Sequence, residues 1–175
     1  MAATKNAKSV RNDTKEFITT ALVELLKKDT LQDITISRLV SRAGVSRMAF
    51  YRNFETVQQV LYEYYNLKIN SVFENMKNSS NKSDKLNSHL DFFNNFSEEL
   101  ILSHKHGYEP IINEIFTKQV ESFYKDSDNN YHITFMAAGA YAVWKKWFLG
   151  GAQIPLEDVM QTLSVFHEAM NKHMK

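Results

Sequence analysis

Four side chains in the stretch GVSRMAFYRNFE, Gly44 to Glu55, are of types that can recognise a polyanion: Arg47, Met48, Tyr51 and Arg52. A guanidinium forms two-pronged hydrogen bonds to phosphate or to the edge of guanine. A thioether or an aromatic ring can touch the methyl group of thymine. At a helical step of about 100° per residue, these four side chains fall on one arc. Ala49, Phe50, Asn53 and Phe54 fall on the opposite arc. The helix therefore has a basic, exposed side and a side fit to pack. The competing expectation is an amphipathic helix whose arginines are merely solvated, and the surrounding elements bear on that choice.

Thr35 reads as a helix N-cap, with Ile34 and Leu39 placed as a hydrophobic staple across the first turn. That helix runs to about Arg42. Gly44 follows, where a tight turn favours a residue free to take positive φ. Ser46 caps the next, short helix, and Val45 with Phe50 repeats the staple. Thr56 with Gln59 forms a capping box that opens a longer helix. Helix, glycine-containing turn and short helix make a helix-turn-helix, whose second helix lies in the major groove.

The remaining chain is helical in pattern. Residues 11–28 carry an apolar stripe on Phe17, Ile18, Ala21, Leu22, Leu25 and Leu26. The helix from Thr56 extends to about Lys77. Polar runs at 78–85 and 126–130 read as loops. Helices are expected over 86–104, from Tyr108 or Glu109 to about Lys125, over 131–149 and from Pro155 to the end. His106-Gly107 and Gly150-Gly151 are breaks. The expected fold class is all-α with about nine helices: an arm and three-helix DNA-binding module over 1–56, and a helical regulatory domain over 57–175.

Composition narrows the function. The chain of 175 residues contains no cysteine, which excludes a disulfide framework and thiolate metal sites. Its N-terminus lacks the apolar core of a signal peptide, and Ile133 to Trp144 is too short an apolar run to span a bilayer. A cytoplasmic protein without a membrane partner is expected. The net charge of +1 hides an asymmetry. Residues 1–60 hold ten Lys/Arg against six Asp/Glu, and all five arginines lie within the first 52 residues. Such an imbalance points to a polyanion at the N-terminal end.

The run TISRLVSRAGVSRMAFYRNF, Thr35 to Phe54, resembles the DNA-binding module of the TetR family of bacterial transcriptional regulators. Ala43-Gly44-Val45-Ser46, Phe50-Tyr51 and Phe54 carry the resemblance, which extends over residues 10–65. It implies a homodimer that binds a palindromic operator in double-stranded DNA, most commonly as a repressor released by a small effector. It implies that Thr35 and Ser37 meet the backbone and groove, that Arg47, Met48 and Tyr51 face base edges, and that Tyr51, Arg52 and Asn53 meet phosphates. Ser46 belongs to the same face, and Thr56 would bring backbone amides to a phosphate. One position departs from the pattern. Val57 stands where the family usually has a lysine. Arg52, or an arm carrying Lys5, Lys8 and Arg11, is a possible substitute, and such an arm is as often a solubilising tail.

The last two helices of each chain form the dimer in that family. Here Ile133 to Leu149 is apolar nearly all round, with Ala137 to Ala140 small enough for close helix approach. Ala138, Tyr141, Trp144, Phe148, Leu163 and Phe166 are the expected interface residues, the alternative being the core helix of a monomer. An apolar or aromatic effector would sit among Tyr64, Phe92, Phe93, Phe96, Phe116, Phe123 and Tyr141, with Tyr124 and Phe135 nearby, although aromatics at helical spacing are commonly core. His104, His106 and Glu109 read better as a helix end than as metal ligands, since positions i and i+2 do not share a face. No catalytic triad, phosphate-binding glycine loop or paired-carboxylate motif is visible, so neither an enzyme nor a cofactor is expected. Two further possibilities are a regulator of this fold controlled by a protein partner, and a helical enzyme or metal protein with an incidental helix-turn-helix.

Overall fold

A computed structural model of the chain describes residues 2–78, 96–123 and 130–173. Among the described residues there are helices and no strands: α1 (Ala2–Leu25), a 3-10 turn (Leu31–Asp33), α2 (Ile36–Ala43), α3 (Arg47–Tyr51), α4 (Val57–Asn78), α5 (96–105), α6 (Glu109–Phe123), α7 (Asn130–Leu149) and α8 (Leu156–His173). The loop expected at 78–85, the start of the helix expected at 86, and most of the loop expected at 126–130 lie outside the described residues.

The N-terminus differs from the free arm expected before residue 11. Residues 2–10 continue α1 toward the N-terminus. Three alanines and two lysines, with no glycine or proline, favour helix there. The helix ends at Leu25, and residues 26–29 follow as a hydrogen-bonded turn.

The chain divides into two compact units. The first comprises residues 1–67 together with 102–112. Its interior is built from Ile18 and Leu22 of α1, Leu39 of α2, Phe50 of α3 and Leu61 of α4, all fully buried. The first turns of α4 and the α5–α6 corner thus belong with the helix-turn-helix, whereas the expected boundary lies at 56/57. Leu31 N–H donates to His106 O at 2.9 Å, which ties that corner to the 3-10 turn before α2. Tyr65 and Tyr108 stack with ring centroids 5.9 Å apart.

The second unit comprises 68–101 and 113–175. Phe116 of α6 is buried, and its ring packs edge-on against Trp144 at 4.6 Å and lies beside Phe73 and Tyr141. Phe148, Leu156 and Val159 form a buried cluster that holds α8 on α7, covered by Leu100, Val143, Trp144, Trp147 and Met160. The turn between these helices passes through Gly151 at φ +77°. Trp147 Nε1 donates to Ile154 O at 2.8 Å and pins that turn.

Candidate nucleic-acid interface

Each helix of the motif starts on a hydroxyl cap. Thr35 Oγ1 accepts from Arg38 N–H at 3.3 Å to open α2, and Ser46 Oγ accepts from Ala49 N–H at 3.0 Å to open α3. Between them Gly44 takes φ +66°, the left-handed conformation that ends α2. The staple residues Ile34, Leu39 and Phe50 are buried as the spacing requires, and Val45 is half-buried. Thr56 Oγ1 accepts from Gln59 N–H at 3.1 Å, while Gln59 Oε1 reaches back to Glu55 N–H at 2.7 Å rather than to the cap residue itself.

These constraints fix the two sides of α3. Phe50 is 0% exposed and Phe54 3%, so both rings anchor the helix in the core. Their centroids lie 6.0 Å apart. Met48 is 64% exposed and Tyr51 57%, and Arg47 and Arg52 are exposed beside them. The Tyr51 ring meets Phe50 edge-on at 5.5 Å, and the rest of it stands outward with the Met48 thioether. Thr35, Ser37, Ser46 and Thr56 are also exposed, and Asn53 is half-buried. Arg47 donates a hydrogen bond to Ser37 Oγ, so α2 supports the guanidinium at the head of α3.

The five arginines divide by role. Arg42 donates to Glu24 Oε2 through Nε at 3.0 Å and a terminal nitrogen at 2.6 Å. Arg38 pairs with Asp29 at 2.7 Å. Both are exposed pairs that join α2 to α1 and the turn after it. Arg11 of α1 donates to Arg52 O and Asn53 Oδ1, each at 3.2 Å. Arg47 and Arg52 remain on the outward arc of α3. The clustering of arginine that suggested one polyanion surface thus combines two contributions, internal bracing and an outward basic face.

Val57 is 6% exposed and faces the interior. A lysine there would have to leave the core to reach a phosphate. Gln58, one position on, is exposed. Lys15 of α1 pairs with Glu63 of α4 at 2.7 Å and lies 5.0 Å from the Phe54 ring centroid. Gln59 Nε2 donates to Glu63 Oε1 at 3.2 Å, so the same carboxylate steadies the capping side chain.

The bracing by Arg11, Glu24, Asp29 and Glu63 was not visible in the sequence. Arg11 lies 42 positions from Asn53, and Arg42 lies 18 from Glu24. No local spacing rule links residues at such separations. The side chains of Lys5 and Lys8 lie outside the described residues.

The described effector candidates fall in both units. Tyr64 belongs to the first unit, where its ring meets Tyr65 edge-on. Phe96, Phe116 and Tyr141 belong to the second. There Phe96 is buried with Lys68 Nζ 4.4 Å from its ring centroid, and Phe116 and Tyr141 pack together. Phe92, Phe93, Tyr124 and the Phe123 side chain lie outside the described residues. Phe135 is exposed on α7.

The expected interface residues differ in exposure within the chain. Ala138 and Phe166 are exposed, and Leu163 is half-buried. Phe148 is buried inside the chain's own α7–α8 cluster, with Trp144 packed on that cluster and on Phe116. Tyr141 is half-buried beside Phe116. Phe148 and Trp144 thus contribute to packing between α7 and α8, and Tyr141 and Trp144 to packing on Phe116 of α6. His104 Nδ1 lies 3.2 Å from Glu109 Oε2, while His106 is buried elsewhere, and no metal-holding group of three occurs among the described residues. No described helix is long and apolar enough to cross a membrane.

Comparison with known proteins identifies no relative: no family model matches the chain, and no curated protein does.

Proposed function

We propose that the chain is a sequence-specific DNA-binding regulator of the TetR type, acting in the bacterial cytoplasm as a homodimeric repressor on an inverted-repeat operator. One observation carries the proposal. Arg47, Met48, Tyr51 and Arg52 stand together on the outer face of a short capped helix whose inner face is locked by Phe50 and Phe54. That is the chemistry and the rigidity that reading base edges from the major groove requires. Arg47 is the guanine reader, Met48 and Tyr51 contact base edges, and Arg52 meets a phosphate. Thr35, Ser37, Ser46, Asn53 and the amides at Thr56 supply backbone contacts.

Dimerisation is supported by a stripe on α7. Tyr131, Phe135, Ala138 and Ala142 are exposed at alternating spacings of four and three residues, the repeat of a helix–helix seam. On α8, Val165, Phe166 and Ala169 are exposed as well. A second copy covers such a surface by two-fold symmetry, with the same patch used twice.

Release by a small apolar or aromatic effector is the commoner control for this architecture. A second form of control, by a protein partner, is favoured by one observation. The described aromatic candidates around Phe116 are packed against each other. Thermal stabilisation by a metabolite supports the first form, because a ligand of the native state raises stability by mass action. Selection of bound sequences from random DNA tests the proposal as a whole. An inverted repeat is expected, and no enrichment over input would refute DNA reading.

A further inference from the structure

We propose that Arg11 is a positioning residue for α3, acting through the helix's C-terminal end and not as a phosphate ligand; the proposal rests on the DNA-binding reading of α3. A five-residue helix leaves most of its carbonyls without intrahelical partners. Here they are taken up in turn. Arg52 N–H donates to Met48 O at 3.1 Å, and Asn53 and Phe54 N–H donate to Phe50 O at 2.8 and 2.9 Å. Asn53 Nδ2 donates to Ala49 O at 2.7 Å. Arg11 adds a contact from α1 at the C-cap, with one nitrogen on Arg52 O and another on Asn53 Oδ1.

The fork geometry matters. Asn53 can hold Ala49 O only with its amide turned one way, and Arg11 fixes that orientation by occupying the amide oxygen. A cation at the C-terminal end of a helix is also favoured by the helix dipole. Arg11 thereby sets the backbone from which the Tyr51 and Arg52 side chains project. Its guanidinium is turned to protein acceptors of the same unit, so its charge does not count among the phosphate contacts.

The test compares Arg11→Gln and Arg11→Lys with wild type on the DNA site selected by the wild-type protein, across a salt series. Lysine keeps the charge but cannot make the fork. Both variants are expected to lose about three- to ten-fold in specific affinity, consistent with loss of exposed charge-assisted bonds. Neither is expected to change the slope of log affinity against log salt. In the protein without DNA, amide hydrogen exchange at Asn53 and Phe54 is expected to accelerate in both variants, with the thermal midpoint little changed because Arg11 is exposed. In the protein without DNA, Asn53→Ala is expected to give the same acceleration of exchange, and combining it with Arg11→Gln to add little further acceleration.

Wild-type affinity in Arg11→Lys, with a slope reduced by about 0.9 in Arg11→Gln, would show a phosphate contact and overturn the proposal. Unchanged affinity or unchanged exchange in both variants would overturn it too. If wild type selects no sequence at all, the DNA reading fails, and the exchange data alone decide whether Arg11 holds α3.

Discussion

Phe135 and Phe166 offer the most direct test of the second-copy surface. They are 61% and 60% exposed, so neither contributes much to the fold of one chain. An aromatic side chain buries about 150–250 Å² when fully covered. Sixty per cent of that range is about 120 Å², which at about 25 cal/mol per Å² corresponds to about 3 kcal/mol. Incomplete covering and the ordering of side chains reduce this to about half for each ring. Two-fold symmetry uses each ring twice, so Phe166→Ser is expected to weaken dimerisation by about 3 kcal/mol, or roughly 100-fold in Kd. Phe135→Ser is expected to act in the same direction. Sedimentation velocity over a dilution series measures the change, and circular dichroism checks that helicity is retained. Affinity for the full operator should fall with the dimer while affinity for a half-site stays constant. A wild-type chain that remains monomeric at micromolar concentration, or a Phe166→Ser dimer as tight as wild type, would refute the reasoning.

Arg47→Ala is expected to cost about 1–3 kcal/mol on the selected site and much less on scrambled DNA, as measured by fluorescence anisotropy. Gly44→Ala is expected to destabilise the fold by about 1–2 kcal/mol in urea titration, purely through the left-handed backbone, because a Cβ there meets nothing within 4 Å. Val57→Lys is expected to destabilise the fold without strengthening DNA binding, since the site is buried and an ammonium there lacks a partner. Gln58→Lys, on the exposed neighbour, is expected instead to steepen the salt dependence of binding by about 0.9.

Local chemistry was the part most legible before the fold was known. The caps at Thr35 and Ser46, the turn at Gly44 and the division of α3 into two faces all follow from residues within four positions of each other. The inward orientation of Val57 was legible as well, since Val60 and Leu61 stand three and four positions on and continue the same apolar face. Interactions between elements were not legible at all. Trp144 and Phe148 had the composition of an interface, yet their packing with Leu156 and Val159 depends on how α8 returns over α7 through the turn at Gly151, pinned by the Trp147–Ile154 bond. The length of α1 was also understated, since its first turns carry no apolar stripe and are helical by intrinsic preference alone.

The placement of the α5–α6 corner adds a constraint on how the motif can respond to the rest of the chain. Leu31 N–H stands at the head of the 3-10 turn, where no helical carbonyl precedes it, and its partner is His106 O. A buried amide left without a partner costs about 1–3 kcal/mol. Tyr65 and Tyr108 add a stacked contact between α4 and the same corner. Gly107, at φ +78°, makes the corner sharp enough to present the His106 carbonyl. A displacement of residues 102–112 must therefore either break the Leu31 bond or carry the turn before α2 with it. The second course keeps the amide paired, so the lower-energy response of the motif to such a displacement is a shift of the α2 entry rather than a local opening.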